Sequence, residues 1–369
     1  MKISIITMHN YPNYGSVLQA FATQEKLKEY ADEVEIIDYS GGNSTVGRSL
    51  KEYIKLGLHG NPAKALAALP YRLRKRAVFG GFAKRNMNLT ARRYTKDEDF
   101  AEFPLHDGYY FTGSDQVWNP FFEENMPFFL NFVPESKKKV AFAISFGTYR
   151  EEQINPGEAD KIIKYVQQYN HISVREERGL KLVREQLGYE NAVQLVDPTL
   201  AMPPEFWKKL APRSKINGAY ILLYKLGNEQ AFEGYASEVS KRTGLPLIRL
   251  CSKSFHQQIS GIGKKLMLPR VFQFITLIDN AKYVITDSFH GTAFSMMLNT
   301  DVIVYREEYD GGRISGFLRM LGHEQRHVKN SKDFSILDNP TNFHHVNEIL
   351  ARERERVNEF LRGVFAERG

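Results

Sequence analysis

The chain has 369 residues, of which 42% are hydrophobic and 25% charged, and its formal net charge is +7. That length is too great for one ordinary core and suits two, and the composition is that of a soluble globular protein. No apolar run reaches the roughly 18 residues of a membrane span, and a single cysteine, Cys251, excludes an internal disulfide or a multi-cysteine metal site.

The first predicted strand, KISIITM, starts directly at the N terminus, so no secretory signal is expected and a reducing cytoplasm is. It leads into HNYPNYGSVLQAFA, where Asn13, Tyr14, Gly15 and Ser16 form a turn opening a helix. The free N–H groups of such a turn can hold an anion, although the pattern lacks the GxGxxG of a dinucleotide site. VEIIDY is the next strand. Tyr53 to Lys96 then holds eleven Lys or Arg and no Asp or Glu, including YRLRKR and AKRN. This stretch reads either as a solvated basic face or as a surface for an anionic partner, a phospholipid layer or a phosphorylated substrate. No nucleic-acid-binding signature accompanies it.

Further strands end in polar turns. GYYFTGSD gives way to SDQVWNP, where Asp115 either caps a helix or accepts a sugar hydroxyl, and Trp118 can stack on a sugar ring. KVAFAISFG ends on Ser145 and Gly147. HISVRE ends on Arg175, which can grip a carboxylate or phosphate through its guanidinium fork or pair with the neighbouring Glu176 or Glu177. AVQLVDPT closes on Asp197 and Thr199 in a Pro-bounded turn that reads as structural.

AYILLYKL, PLIRLC, KYVITDSF and DVIVYR supply the strands of the second half, and Cys251 falls on one of them as a small core residue. The apolar run YVIT stops at DSFHGT, so Ser288, His290 and Gly291 follow a buried strand at the start of a helix, where the dipole favours an anion. Arg306 and Arg313 lie farther on in VYREEYDGGRISGFLRMLG. His290 with two or three arginines suits a small, multiply charged anion.

Strands alternating with amphipathic stretches such as LQAFATQEKLKEY and GLKLVREQLG predict an α/β protein of two doubly wound, Rossmann-like domains facing a cleft. The expected boundaries are 1–200, with a basic helical insertion at about 45–100, then 201–330 after LAMPPEFWKKLAPRSKING, then a tail, 331–369. Its final amphipathic helix is expected to pack back on the first domain. Ligands of such sheets bind beyond the carboxyl ends of the strands.

NYPNYGSVLQAFA, GSDQVWNP, AFAISFGT, ISVREERG, LVDPTL, ITDSFHGTAFS and GGRISGFLRMLG, taken in that order, resemble the polysaccharide pyruvyl transferase family. They span Asn10 to about Gly322; the basic segment and the final helix carry no part of the match. The resemblance implies a GT-B-like fold, phosphoenolpyruvate as donor and a sugar hydroxyl pair as acceptor, with a cyclic pyruvate ketal formed on a bacterial surface glycan such as capsule or exopolysaccharide. Through it His290 is the catalytic residue and Arg175 and Arg313 bind the donor; Arg313 stands where many members have lysine. Ser288, Gly291, Ser145 and Gly147 are further donor-site candidates, and Asn13, Tyr14, Gln19, Asp115 and Trp118 are acceptor-site candidates.

The scheme uses no cofactor, since phosphoenolpyruvate is a substrate, and no metal, since the sequence has no HExxH-like ligand cluster. The acceptor is expected to be lipid-linked or nucleotide-linked, and the protein cytoplasmic, with contact to an anionic membrane through residues 53–96. Two other readings stand beside this one: a nucleotide-sugar glycosyltransferase on the same fold, and a non-catalytic glycan-binding protein.

Overall fold

The structure is a computed structural model, and it describes residues 1–41, 62–105, 108–119, 126–147, 156–227, 231–252, 261–306 and 312–366. Residues 45–61 of the expected basic insertion lie outside the described residues, as does Pro120.

Two parallel sheets form the frame. The first contains β1 (Lys2–Ile6), β2 (Glu33–Tyr39), β3 (Leu89–Tyr94), β4 (Tyr109–Thr112), β5 (Lys138–Ile144), β6 (His171–Val174) and β7 (Val193–Gln194), in the order β3-β2-β1-β4-β5-β6-β7. The second contains β8 (Ile221–Tyr224), β9 (Leu247–Cys251), β10 (Lys264–Met267), β11 (Tyr283–Thr286), β12 (Asp301–Tyr305) and β13 (His327–Val328), in the order β10-β9-β8-β11-β12-β13. Central strands such as β1 and β11 are apolar along nearly their whole length because helices cover both faces. The strand order reverses between β1 and β4 in one sheet and between β8 and β11 in the other. Such switch points open a crevice at the strand ends.

Helix α1 (Tyr14–Leu27) leaves the first switch point, and Asn13 caps it by accepting the Gly15 N–H at 2.8 Å. Nearly every residue of α1 is buried, because the helix is wedged between the two sheets rather than lying on one. The Tyr14 ring stacks on Phe274 at 5.0 Å and meets Phe79 and Tyr224 edge-on, while its hydroxyl donates to Pro269 O at 2.7 Å. One continuous apolar core therefore joins the two halves.

The described part of the expected insertion belongs to the sheet architecture. Helix α2 (Pro62–Asn86) is the crossover from β2 to β3 and buries Phe79 and Phe82 against α1, and Leu89 to Tyr94 is an edge strand rather than inserted helix. The final helix, α7 (Phe343–Ala366), packs back on the first domain. Phe365 contacts Tyr30, Tyr109 and Phe111, and Phe360 stacks on Phe142. Cys251 is buried at the end of β9. No helix among the described residues is long and apolar enough to cross a membrane.

Candidate active site

The polar turns of both sheets meet where the two switch points face each other. Helix α5 (Phe289–Met297) begins immediately after β11, with Ser288 at its N-cap accepting the Gly291 N–H at 3.3 Å. This cap fixes the first turn and aims His290 at the opposite domain. A β-carbon placed on Gly15 would lie 2.0 Å from His290 Nδ1. The imidazole therefore packs directly on the backbone that opens α1, and only glycine leaves room for it. The other ring nitrogen, Nε2, stands 3.5 Å from Asp197 Oδ2.

Asp197 is the centre of the cluster. It caps the short helix α3 (Pro198–Ala201), where its Oδ1 accepts the Thr199 N–H at 3.0 Å and the Thr199 hydroxyl at 2.7 Å. Its Oδ2 accepts from Arg175 Nη1 at 2.7 Å and from Ser114 Oγ at 3.2 Å, besides facing His290. The side chain is fully buried. Burial alone would raise its pKa, but His290 and the Arg175 guanidinium hold the carboxyl well below the usual range. The expectation that Asp197 is merely a turn residue is thus corrected: the turn is structural, and the same carboxylate links the histidine to the arginine.

Arg175 extends from the end of β6, buried, with its guanidinium 4.5 Å above the Phe289 ring. Three carboxylates surround it: Asp197 at 2.7 Å, Glu176 Oε1 at 3.5 Å from Nε, and Asp115 Oδ1 at 4.0 Å from Nη2. Burial disfavours the charged guanidinium, but Glu176, Asp197 and Asp115 more than offset this and raise its pKa. Its fork is therefore shared with Asp197 instead of standing open for a substrate, while Nε forms no hydrogen bond within the protein. Glu176 is buried as well; desolvation raises its pKa against the opposing pull of Arg175, Ser145 and Arg313.

Beside this cluster a cavity of 230 Å³ is lined by Arg175, Glu176, Asp197, Phe289 and Arg313, the last at the start of helix α6 (Arg313–Met320). Its other arginines are paired: Arg319 with Glu177 at 3.6 Å and Arg356 with Glu353 at 2.8 Å. The lining balances charge instead of presenting a purely cationic wall. Arg306 turns away from it and donates to Asp287 O at 3.4 Å.

The remaining candidates divide by burial. Ser145 donates to Glu176 and accepts the Gly147 N–H at 3.0 Å, and a side chain at Gly147 would strike Gln116 Oε1 at 2.3 Å. Both residues hold the β5 turn in place. Gly291 packs against Thr286 and Tyr224. Asp115, in a left-handed backbone conformation with φ 73°, accepts from Ser16 Oγ at 2.5 Å and so ties the β4 turn to α1. Tyr11, partly buried beside Asp115, has its phenol pKa raised by burial and by that carboxylate.

Trp118 corrects an expectation. Its indole is 1% exposed, stacks on Phe129 at 4.9 Å and donates to Phe128 O, so it has no face to offer a sugar. Tyr14 and Gln19 are likewise sealed: Tyr14 lies in the interdomain aromatic cluster, and Gln19 donates to Thr7 Oγ1 at 3.0 Å and to Ser16 O at 2.9 Å. Asn13, partly exposed, spends its carbonyl oxygen on the helix cap.

Paired Rossmann-like domains with a polar cluster between their switch points define a GT-B protein. Known structures share this fold across nearly the whole chain. S. aureus MnaA, solved with UDP, matches at TM-score 0.55 and 10% identity, covering 98% of this chain and 95% of its own. A Listeria monocytogenes protein described as a UDP-N-acetylglucosamine 2-epimerase matches at TM-score 0.54 and 11% identity over 100% and 97% of the two chains. An alpha-glucosyltransferase solved with UDP and DNA matches at 0.51 and 10% identity over 98% and 95%. Among curated proteins, none matches this sequence. The model of the polysaccharide pyruvyl transferase family matches residues 13–309, and the chain belongs to that family.

Proposed function

We propose that the protein moves the pyruvate unit of phosphoenolpyruvate onto two hydroxyls of a sugar, forming a cyclic ketal during synthesis of a bacterial surface polysaccharide. The observation that carries this reading is the placement of His290 between the two domains, with one ring nitrogen on Asp197 and the other against the opening of α1. Membership of the family supports the transfer itself.

The chemistry requires a proton at the methylene carbon of phosphoenolpyruvate, which becomes the methyl group of the ketal. Positive character then develops at the adjacent carbon, where the first sugar oxygen attacks. The second oxygen displaces phosphate and closes the ring; one hydroxyl proton restores the acid and the other leaves with phosphate. In this reading His290 is the acid, and Asp197 fixes its orientation. Arg313, with the buried charge of Arg175 behind it, holds the carboxylate and phosphate in the adjoining cavity, so that orientation supplies part of the rate. Asp115, with Tyr11 beside it, is the acceptor-side group, in place of the buried Trp118, Tyr14 and Gln19. Ser145, Gly147, Ser288 and Gly291 shape the turns that carry these groups.

A lipid-linked or nucleotide-linked sugar is the proposed acceptor. Cytoplasmic residence with peripheral contact to an anionic membrane is part of the same proposal, supported by the basic α2 segment. The test is incubation with phosphoenolpyruvate and a panel of lipid-linked and nucleotide-linked sugars. Acceptor-dependent phosphate release and a product of pyruvylated mass are expected. Turnover of a nucleotide sugar with phosphoenolpyruvate left intact would instead favour a glycosyltransferase, and acceptor binding without turnover of either donor would favour a glycan-binding protein.

A further inference from the structure

A second cavity, of 270 Å³, lies beside the middle of the α2 crossover, where that helix meets the second domain. Its walls come from Arg74 on α2, from Arg213 to Ile216 between the two sheets, from the end of β10, and from helix α4 (Val271–Asp279) with the preceding Pro269. The apolar part consists of Ile216, Leu266, Met267, Pro269 and Leu277. Arg74, Arg213 and Lys215 supply three cationic groups, and among the described residues no carboxylate lines the cavity.

Arg74 Nε donates to Met267 O at 2.9 Å, which anchors the guanidinium at the cavity wall and leaves its terminal nitrogens to other partners. Among the described residues no Asp or Glu forms a salt bridge with Arg74, Arg213 or Lys215. This differs from the candidate active site, where most arginines are paired with carboxylates. Arg74 on one side and Arg213 with Lys215 on the other bring three cations to one cavity, where they repel one another, and a dianion lowers that cost directly. The apolar floor selects further, for an anion carried on a hydrocarbon. A cavity of this size, at the small end of ligand pockets, takes the head and first carbons of such a molecule. Leu73, next to Arg74, is a large apolar side chain left 48% exposed outside the core.

We infer that this cavity binds the phosphate monoester of a long-chain alcohol, with the phosphate held by Arg74, Arg213 and Lys215 and the first carbons resting on Ile216, Leu266 and Met267. The site is separate from the pyruvyl-transfer chemistry, and its test does not depend on that chemistry.

Octyl phosphate, kept below its micelle concentration, is titrated into the full-length protein by calorimetry. A single site is expected, with octanol and inorganic phosphate each binding at least tenfold more weakly. The double variant Arg213→Glu/Lys215→Glu, which changes exposed side chains only, should weaken octyl phosphate binding at least tenfold while leaving the circular dichroism spectrum intact. Equal affinity of the variant and the wild type would overturn the assignment. So would inorganic phosphate matching octyl phosphate, which would mark a plain anion site, or octanol matching it, which would mark a plain apolar one.

Discussion

At residue 15 the space for a side chain is already occupied by the imidazole of His290, with 2.0 Å between Nδ1 and a β-carbon built there. Gly15→Ala must push the ring off Asp197 or push the two domains apart. A displacement of about 1 Å at a reacting group costs on the order of 10²-fold in rate, so turnover should fall by about that factor, with an overpacking cost of about 1–3 kcal/mol in unfolding; full activity in the alanine variant would mean that His290 does not act from this position. Glu176 gives a test with a pH signature. Burial raises its folded-state pKa above the unfolded value of about 4.3. Between these two values the folded protein binds more protons than the unfolded chain, so its stability falls as pH rises through that window. Glu176→Gln removes this dependence, and denaturant unfolding of both proteins from pH 4 upward should show the wild type losing stability relative to the variant. A constant difference across pH would contradict the assigned burial cost. At this scale the sequence displayed His290 and Arg175 clearly, since each follows an apolar strand. Asp197 was concealed by its other task, because DPT looks the same whether its carboxylate only caps a helix or also pairs with groups brought from β6 and α5.

Among the elements, the central strands were legible because burial on both faces makes them nearly continuous apolar runs. β3, β10 and β13 were not: they are edge strands, carrying Arg92 and Arg93, Lys264 and Lys265, or only two residues. Charge and brevity are how edges avoid pairing with other chains, and they also erase the strand pattern. The same effect made β3 part of an apparent insertion. Helix α7 was readable as amphipathic, and its docking depends on aromatic contacts that no local pattern shows. Phe365 is 5% exposed against Tyr30, Tyr109 and Phe111. Phe365→Ala should destabilise the protein by about 3–5 kcal/mol in denaturant unfolding, whereas a loss below about 1 kcal/mol would show the helix to be loosely held.

For the whole molecule, two switch points placed face to face bring together residues as distant in the chain as Ser16, Asp115, Arg175, Asp197 and His290. Each turn is ordinary by itself. The cluster arises because the shared aromatic core around Tyr14, Phe79, Tyr224 and Phe274 sets the distance between the domains. That distance could not be read from the order of the motifs, which is why Asp197 looked incidental; Trp118 looked available to a sugar because Phe129, Phe146 and Tyr169, which enclose it inside the first domain, come from distant parts of that domain. The most direct measurement is phosphate release from phosphoenolpyruvate by His290→Ala in the presence of a productive acceptor, alongside its circular dichroism spectrum and melting curve. A folded variant slowed by about 10²–10⁴-fold is the predicted result; a folded variant that turns over at the wild-type rate would contradict the account.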